Sequence, residues 1–255
     1  MSKLFTGRIV IISGGLGDIG FAIAKAFAEQ GASIALGDLH APATATKMLD
    51  ELKQHEVAVS YECVDVSDAN AVKQWIKKVE HEQGIPDIII ANAATVTLAG
   101  IHDVTPAQWS KEIDVNLNGA FHLTQETTRL LVQHQQPGRV VFIGSWAAYT
   151  PHTHIPAYCV AKAGLRMLCK CMALELASHN ILVNEIAPGF VEAGLSAKVW
   201  EANPRQAKEA IDKVPIHKLI TVEAVAEQVL QLCHPNNVYM TGATILMDGG
   251  LSLLS

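Results

Sequence analysis

Arg8-Ile9-Val10-Ile11-Ile12-Ser13-Gly14-Gly15-Leu16-Gly17-Asp18-Ile19-Gly20 is the stretch whose reading decides the fold. Its first half is a continuous run of β-branched residues, the pattern of a strand covered on both faces. Its second half is a glycine turn. The segment Ile19 to Gln30 that follows carries apolar residues at helical spacing and stops at Gly31. A strand, a tight turn and a helix in immediate succession open a βαβ unit. The alternation repeats along the chain. Further strands are expected at Ser33 to Asp38, Val57 to Val64, Asp87 to Ala91, Arg139 to Gly144, Ile181 to Ala187 and Ala243 to Met247. Helices are expected at Ala43 to Gln54, Asp68 to Gln83, most of Pro106 to His134 with a bend, Ala157 to Ser178 and Thr221 to Cys233. A mostly helical stretch follows Pro188-Gly189 as far as Lys213.

Short strands separated by helices need crossover connections, and these produce a parallel sheet. The expected fold is therefore α/β: a single Rossmann-like, doubly wound parallel sheet of about seven strands, with helices on both faces and residues 1–255 in one domain. Composition permits a large core, because 49% of the 255 residues are hydrophobic and only 17% are charged. The formal net charge of −6 and the lack of any Lys/Arg run offer no basic face to nucleic acid or to an anionic membrane surface, so neither partner is expected. No apolar stretch approaches the roughly 20 residues of a spanning helix. Met1 to Thr6 has one Lys and no long apolar segment, so no secretory or transit signal is expected and the expected location is cytoplasmic. The five cysteines have no framework spacing. Cys169 and Cys171, two apart on an expected helix, point to different faces; reduced thiols and no metal are expected.

Ligands of open parallel sheets bind beyond the carboxyl ends of the strands, and the polar residues of interest fall there. Gly15-x-Gly17-x-x-Gly20 matches a dinucleotide-binding turn: the glycines allow close backbone approach, and the helix start offers N–H groups to a pyrophosphate. Asp38 ends the second strand, where a carboxylate accepts hydrogen bonds from ribose hydroxyls and repels a 2′-phosphate. With His40 as the nearest basic candidate, NAD(H) is expected over NADP(H). Asp65-Val66 follows the third strand at the position of an adenine edge, and Asn92 follows the fourth at the cleft floor. Tyr158 and Lys162, four apart, share one face of a helix. Ser145 ends the fifth strand thirteen positions before Tyr158, and Asn116 lies within the long helix in Asp114-Val-Asn-Leu-Asn-Gly119.

Taken together and in this order, these residues resemble the short-chain dehydrogenase/reductase family, over essentially the whole chain. The resemblance implies an oxidoreductase that moves a hydride between NAD(H) and a secondary alcohol or ketone. It implies Tyr158 as general acid/base, Lys162 as its electrostatic support and ribose ligand, Ser145 as a donor to the substrate oxygen, and Asn116 as the anchor of a relay water. Implied cofactor contacts are Gly14, Leu16, Asp18, Ile19, Gly20, Asp38, Leu39, Asp65, Val66, Asn92, Tyr158, Lys162 and Val191. A homotetramer is the family's common assembly; the helix beginning near Tyr158 and the apolar tail Leu251 to Leu254 are candidate interface elements. An ordinary phenol titrates near 10, so an ionised base near neutral pH needs ~4 kcal/mol of differential stabilisation, expected from Lys162 and the nicotinamide charge.

The chain departs from the family pattern in three places. Asp18 stands where a glycine is usual, and it is expected to cap the helix and face outward. Ala91-Asn92-Ala93-Ala94 loses the final glycine of the usual Asn-Asn-Ala-Gly. Ala193 replaces the usual carboxamide-binding Thr, leaving backbone near Val191 for that role. Ser145, Trp146, His152 and Tyr158 are the expected substrate contacts, with Val96 and His154 nearby. Phe190 to Lys213, with Trp200 and Arg205, is expected to form a lid. A polar, histidine-containing pocket points to a sugar, polyol or small hydroxy compound. A 3-ketoacyl-thioester reductase of the same family and a non-catalytic dinucleotide-binding protein stay open as alternatives.

Overall fold

The structure, a computed structural model, describes residues 3–194 and 204–254. Seven parallel strands form one sheet: β1 (Ile9–Ser13), β2 (Ser33–Asp38), β3 (Val59–Cys63), β4 (Ile88–Ala91), β5 (Gly138–Ile143), β6 (Ile181–Pro188) and β7 (Thr244–Met247), in spatial order β3-β2-β1-β4-β5-β6-β7. The order reverses between β1 and β4, which opens a crevice at their carboxyl ends. The expected fold class is the observed one.

Alternation along the strands divides the core. Val10 and Ile12 of β1 and Ile88 and Ile90 of β4 face helices α1 (Asp18–Glu29) and α8 (Val222–Cys233), packing on Ile23, Phe27, Val225 and Val229. Ile11 and Ile89 face the other way, onto α3 (Ala69–Glu82), α5 (Gly119–Gln133) and α6 (Pro156–Leu176), where Trp75, Leu123 and Leu165 meet them. Helix α2 (Pro42–Lys53) completes the first layer beside α1. Each fully buried aliphatic or aromatic side chain contributes about 1.5–3 kcal/mol, and the two layers together fix the sheet between them.

Three expectations are refined. The third strand is shorter than Val57 to Val64, although Ala58 and Val64 still bond to β2 at its ends (Ile34 N–H to Ala58 O, 2.8 Å; Val64 N–H to Asp38 O, 2.8 Å). The long helix starts as α4 (Pro106–Ile113) behind a Thr105–Gln108 capping box, passes through a π-helical turn Asp114–Asn118, and continues as α5. The middle of the expected lid, residues 195–203 with Trp200, lies outside the described residues. Its flanks are described. Val191 pairs with Ile220, and Pro204–Lys213 is helix α7; the Arg205 side chain lies outside what the structure describes.

Candidate active site

The glycine turn lies at the crevice. Gly14 has φ +64, a left-handed conformation closed to most side chains. A Cβ at Gly20 would overlap Gly14 O and lie 2.8 Å from Asn92 Nδ2, so only glycine lets the first turn of α1 sit against the loop. Asn92 joins the two strands at the crevice: its amide donates to Ser13 O (3.1 Å) and Gly14 O (3.0 Å), and its backbone N–H donates to Ser13 Oγ (3.1 Å). The helix begins at Asp18, and the first N–H groups of a helix lack intrahelical partners. Leu16 and Ile19 are half-buried beside this N-terminus. These residues form a cradle that fits a pyrophosphate.

Asp18 does not cap the helix. Gly17 holds the N-cap position without a side-chain cap, and Asp18 is the first helical residue. Its exposed carboxylate instead accepts the Gly194 N–H at 2.7 Å. From the first helical position the side chain projects away from its own amides, and it satisfies a backbone donor after β6. Asp38 ends β2 beside the glycine turn. One carboxylate oxygen accepts the Leu16 N–H (3.1 Å) and the other meets His40 Nδ1 (2.7 Å), so the acid is fixed beside the glycine turn. Leu39 is exposed next to it. Asp65 forms a local turn, accepting from Ser67 N–H (2.9 Å) and Ser67 Oγ (2.7 Å). Val66 is buried, and its carbonyl meets His122 Nδ1 at 3.0 Å.

Ser145, Tyr158 and Lys162 converge beyond β5. Ser145 starts the short 3-10 turn Trp146–Ala148 and accepts the Ala147 N–H at 3.1 Å. The Ser145 hydroxyl neighbours the Tyr158 hydroxyl and favours its ionised form. Tyr158 and Lys162 lie one turn apart on α6, with Lys162 Nζ 5.5 Å from the Tyr158 ring centroid. Lys162 is buried and donates to Ile143 O at 2.7 Å. Burial pulls its ammonium down to about 8, against the opposing attraction of Glu185. Burial pushes the Tyr158 phenol up to about 12, with the Ser145 hydroxyl acting the other way. Lys162 has therefore lost its proton before Tyr158 titrates. In the protein alone, the expected downward shift of the phenol does not occur.

Asn116 lies in the π-helical turn and is buried. Both ends of its amide are taken by Thr95: it accepts the Thr95 N–H and donates to Thr95 O, each at 2.8 Å. Trp146 packs in a small core with Val214 and Leu251, and His152 meets its edge at a centroid distance of 4.5 Å. His152 is held below the usual imidazole range by burial. Val191 is buried beside the Ile220 bridge.

Three neighbours escaped the sequence reading. Arg166 lies one helical turn beyond Lys162 on the same face, a spacing that was legible. Glu185 interrupts the apolar run of β6, an anomaly also legible. Glu112 of α4 is buried, accepts the Thr97 N–H at 2.7 Å, and leaves its second oxygen without a partner among the described residues. Nothing in its local pattern marks it, because a charged residue on an amphipathic helix is ordinary. Among the described residues, no group of three or more His, Cys, Asp or Glu is arranged to hold a metal ion.

Residues 7–252 match the family model described as enoyl-(acyl carrier protein) reductase. The chain is 30% identical over 260 residues to 2,3-dihydro-2,3-dihydroxybenzoate dehydrogenase of Bacillus subtilis, covering 99% of this chain and 98% of that one. It is 30% identical over 246 residues to a 3-oxoacyl-[acyl-carrier-protein] reductase of Thermotoga maritima, covering 96% and 98%. Among solved structures, NAD⁺-bound xylitol dehydrogenase superposes with a TM-score of 0.90 at 26% identity, covering 96% of this chain and 99% of the other. A 2-deoxy-D-gluconate 3-dehydrogenase from Agrobacterium tumefaciens with bound NADP superposes with a TM-score of 0.89 at 27% identity, covering all of both chains. With its sheet order, glycine turn and Ser-Tyr-Lys geometry, the chain belongs to the short-chain dehydrogenase/reductase family and is an oxidoreductase.

Proposed function

We propose that this protein is an NAD(H)-dependent dehydrogenase of a secondary alcohol borne by a sugar, polyol or small hydroxy compound. The observation that carries the chemistry is the contact between the Ser145 and Tyr158 hydroxyls with Lys162 beneath the ring. The cofactor preference rests on Asp38, pinned by Leu16 N–H where a ribose 2′-phosphate would meet a carboxylate. The polar substrate class is favoured by half-buried His152 and by similarity to a dihydrodiol dehydrogenase and a xylitol dehydrogenase.

A bound nicotinamide supplies the hydride donor or acceptor, and in its oxidised form a positive charge. The chain's own residues handle the oxygen and its proton. Ser145 Oγ donates to the substrate oxygen as charge grows there. Tyr158 Oη gives its proton to a carbonyl oxygen in reduction and takes it from a hydroxyl in oxidation. With the phenol pushed up to about 12, the protein alone holds Tyr158 as the acid. Lys162, charged at pH 7, stabilises the phenolate as it forms. Asn116 fixes the Thr95 backbone along the crevice and keeps one amide N–H and one oxygen lone pair to anchor a relay water.

The first test is separate titration with NADH and NADPH by cofactor fluorescence, followed by NAD⁺-dependent oxidation of a polyol and diol panel. Tighter NADH binding and diol oxidation are expected. A preference for NADPH would overturn the Asp38 reading and move the search to thioester reduction, the activity named for the T. maritima relative. Tyr158→Phe should lower kcat by roughly 10²–10⁴-fold with NADH affinity nearly unchanged. Turnover at the parent rate would remove Tyr158 from the chemistry.

The assembly we propose is a homotetramer that uses the outer face of α6. Val160, Met167 and Leu174 recur every seven residues there, at 50%, 59% and 85% exposure. Five unpaired cysteines, Cys63 and Cys171 exposed among them, suit a reducing compartment such as the cytoplasm. No described helix is long and apolar enough to cross a membrane.

A further inference from the structure

Glu185 is a fully buried acid in the middle of β6. One carboxylate oxygen accepts from Thr244 Oγ1 at 2.7 Å and meets Arg166 Nε at 3.3 Å. The other has no partner among the described residues and lies under Gly144, where a Cβ would overlap it. Arg166 uses its remaining donors on the segment that carries Ser145. Nη1 donates to Ala148 O (3.3 Å) and Nη2 to Ser145 O (3.5 Å), and the guanidinium lies 3.3 Å from the Tyr149 ring centroid. Tyr158, Lys162 and Arg166 thus stack on one face of α6 at successive turns, with Glu185 opposite the last two.

We propose that Glu185 and Arg166 are a positioning pair: through Arg166 the buried carboxylate aims the Ser145 turn at Tyr158. This rests on the reading of Ser145, Tyr158 and Lys162 given above. The physical argument is that a guanidinium fork holds direction only if its charge is compensated, and a buried acid on a sheet strand is a rigid compensator. The charged or titratable groups that face Glu185 are Lys162, Arg166 and Cys169, all on α6; Gly144 just after β5 and Thr244 of β7 carry no charge. Burial and Glu185 push the Cys169 thiol up to about 12, and Glu185 raises the Lys162 ammonium against the downward pull of burial.

The test compares the parent with Glu185→Gln and Arg166→Lys, using Ser145→Ala and Lys162→Met as controls. Three properties are read: NADH affinity by fluorescence, the pH dependence of kcat with the polyol found above, and the pH dependence of the cofactor-free thermal midpoint. Glu185→Gln should reduce kcat roughly 10–100-fold with NADH affinity little changed, since a small misplacement of a reacting group has that effect. It should also move the pH at which Lys162 loses its proton below the parent's value of about 8, so the pH-linked rise in thermal midpoint starts at lower pH. Arg166→Lys should reduce kcat without that pH shift. Parent-like kcat and pH dependence in Glu185→Gln, with both controls inactive, would overturn the positioning pair alone. Parent-like activity in the controls would instead overturn the assignment of the site.

A second route works if Glu185→Gln folds poorly. Gly144→Ala should lower the thermal midpoint because its methyl group meets the carboxylate, and Gly144→Ala with Glu185→Ala should restore the midpoint but not kcat. Full recovery of kcat in the double variant would sink the proposal.

Discussion

Lys162, which the proposed mechanism uses to stabilise the phenolate, opposes the stability of the fold at neutral pH. Its ammonium is buried, and its folded-state value of about 8 lies below the ordinary 10.5. Between those values the unfolded chain binds the proton and the folded chain does not, so stability rises with pH through that window. At neutral pH the buried charge costs on the order of 3 kcal/mol, less whatever its bond to Ile143 O returns. Lys162→Met should therefore raise the thermal midpoint at pH 7 while abolishing turnover, and its advantage should fade between pH 8 and 10.5. A lower midpoint at pH 7 would show that the ammonium is a net stabiliser. The spacing of Tyr158 and Lys162 was legible because helical geometry is local. The direction of the Tyr158 shift was not, because it depends on burial and on the order in which two neighbours titrate.

At the scale of elements, the helix from Pro106 to Gln133 is the informative case. Its apolar periodicity and its Thr105 cap were readable, and the bend was expected. The π-helical turn at Asp114–Asn118 was not, since no residue type demands one. That turn holds Asn116 where its amide satisfies both Thr95 backbone groups, while Glu112 one turn earlier takes the Thr97 N–H. The loop beside the crevice is thus suspended from one helix by two side chains. Asn116→Ala would strand the half-buried N–H and C=O of Thr95, and should lower stability by roughly 1–3 kcal/mol in urea unfolding. Values under 0.5 kcal/mol would mean that solvent replaces both bonds.

At the scale of the molecule, the reversal of strand order between β1 and β4 brings Gly14, Asn92 and Asp38 to one edge of the sheet. The same architecture leaves the outer face of α6 apolar at Val160, Met167 and Leu174. Light scattering should give four times the chain mass of 27.4 kDa, and Leu174→Lys should shift the protein to smaller species. A parent monomer would exclude that face as an assembly surface. The alternation of elements was read correctly because each strand and helix has its own hydrophobic period. The central residues 195–203 of the lid assigned to Phe190 to Lys213 lie outside the described residues.

The amino-acid sequence by itself determined the α/β alternation, the glycine turn before α1, the acid closing β2, and the helical register of Tyr158 with Lys162. Each depends on residues within one element or its immediate turn. The tertiary structure decided that Asp18 reaches Gly194 across 176 positions and that Asn116 serves Thr95. It likewise decided that Trp146 joins a small core and that Glu185 occupies the space left by Gly144 beside Arg166. Those contacts join segments whose relative placement is set by sheet order and packing, and a linear pattern carries no register for residues that meet only after the chain has folded.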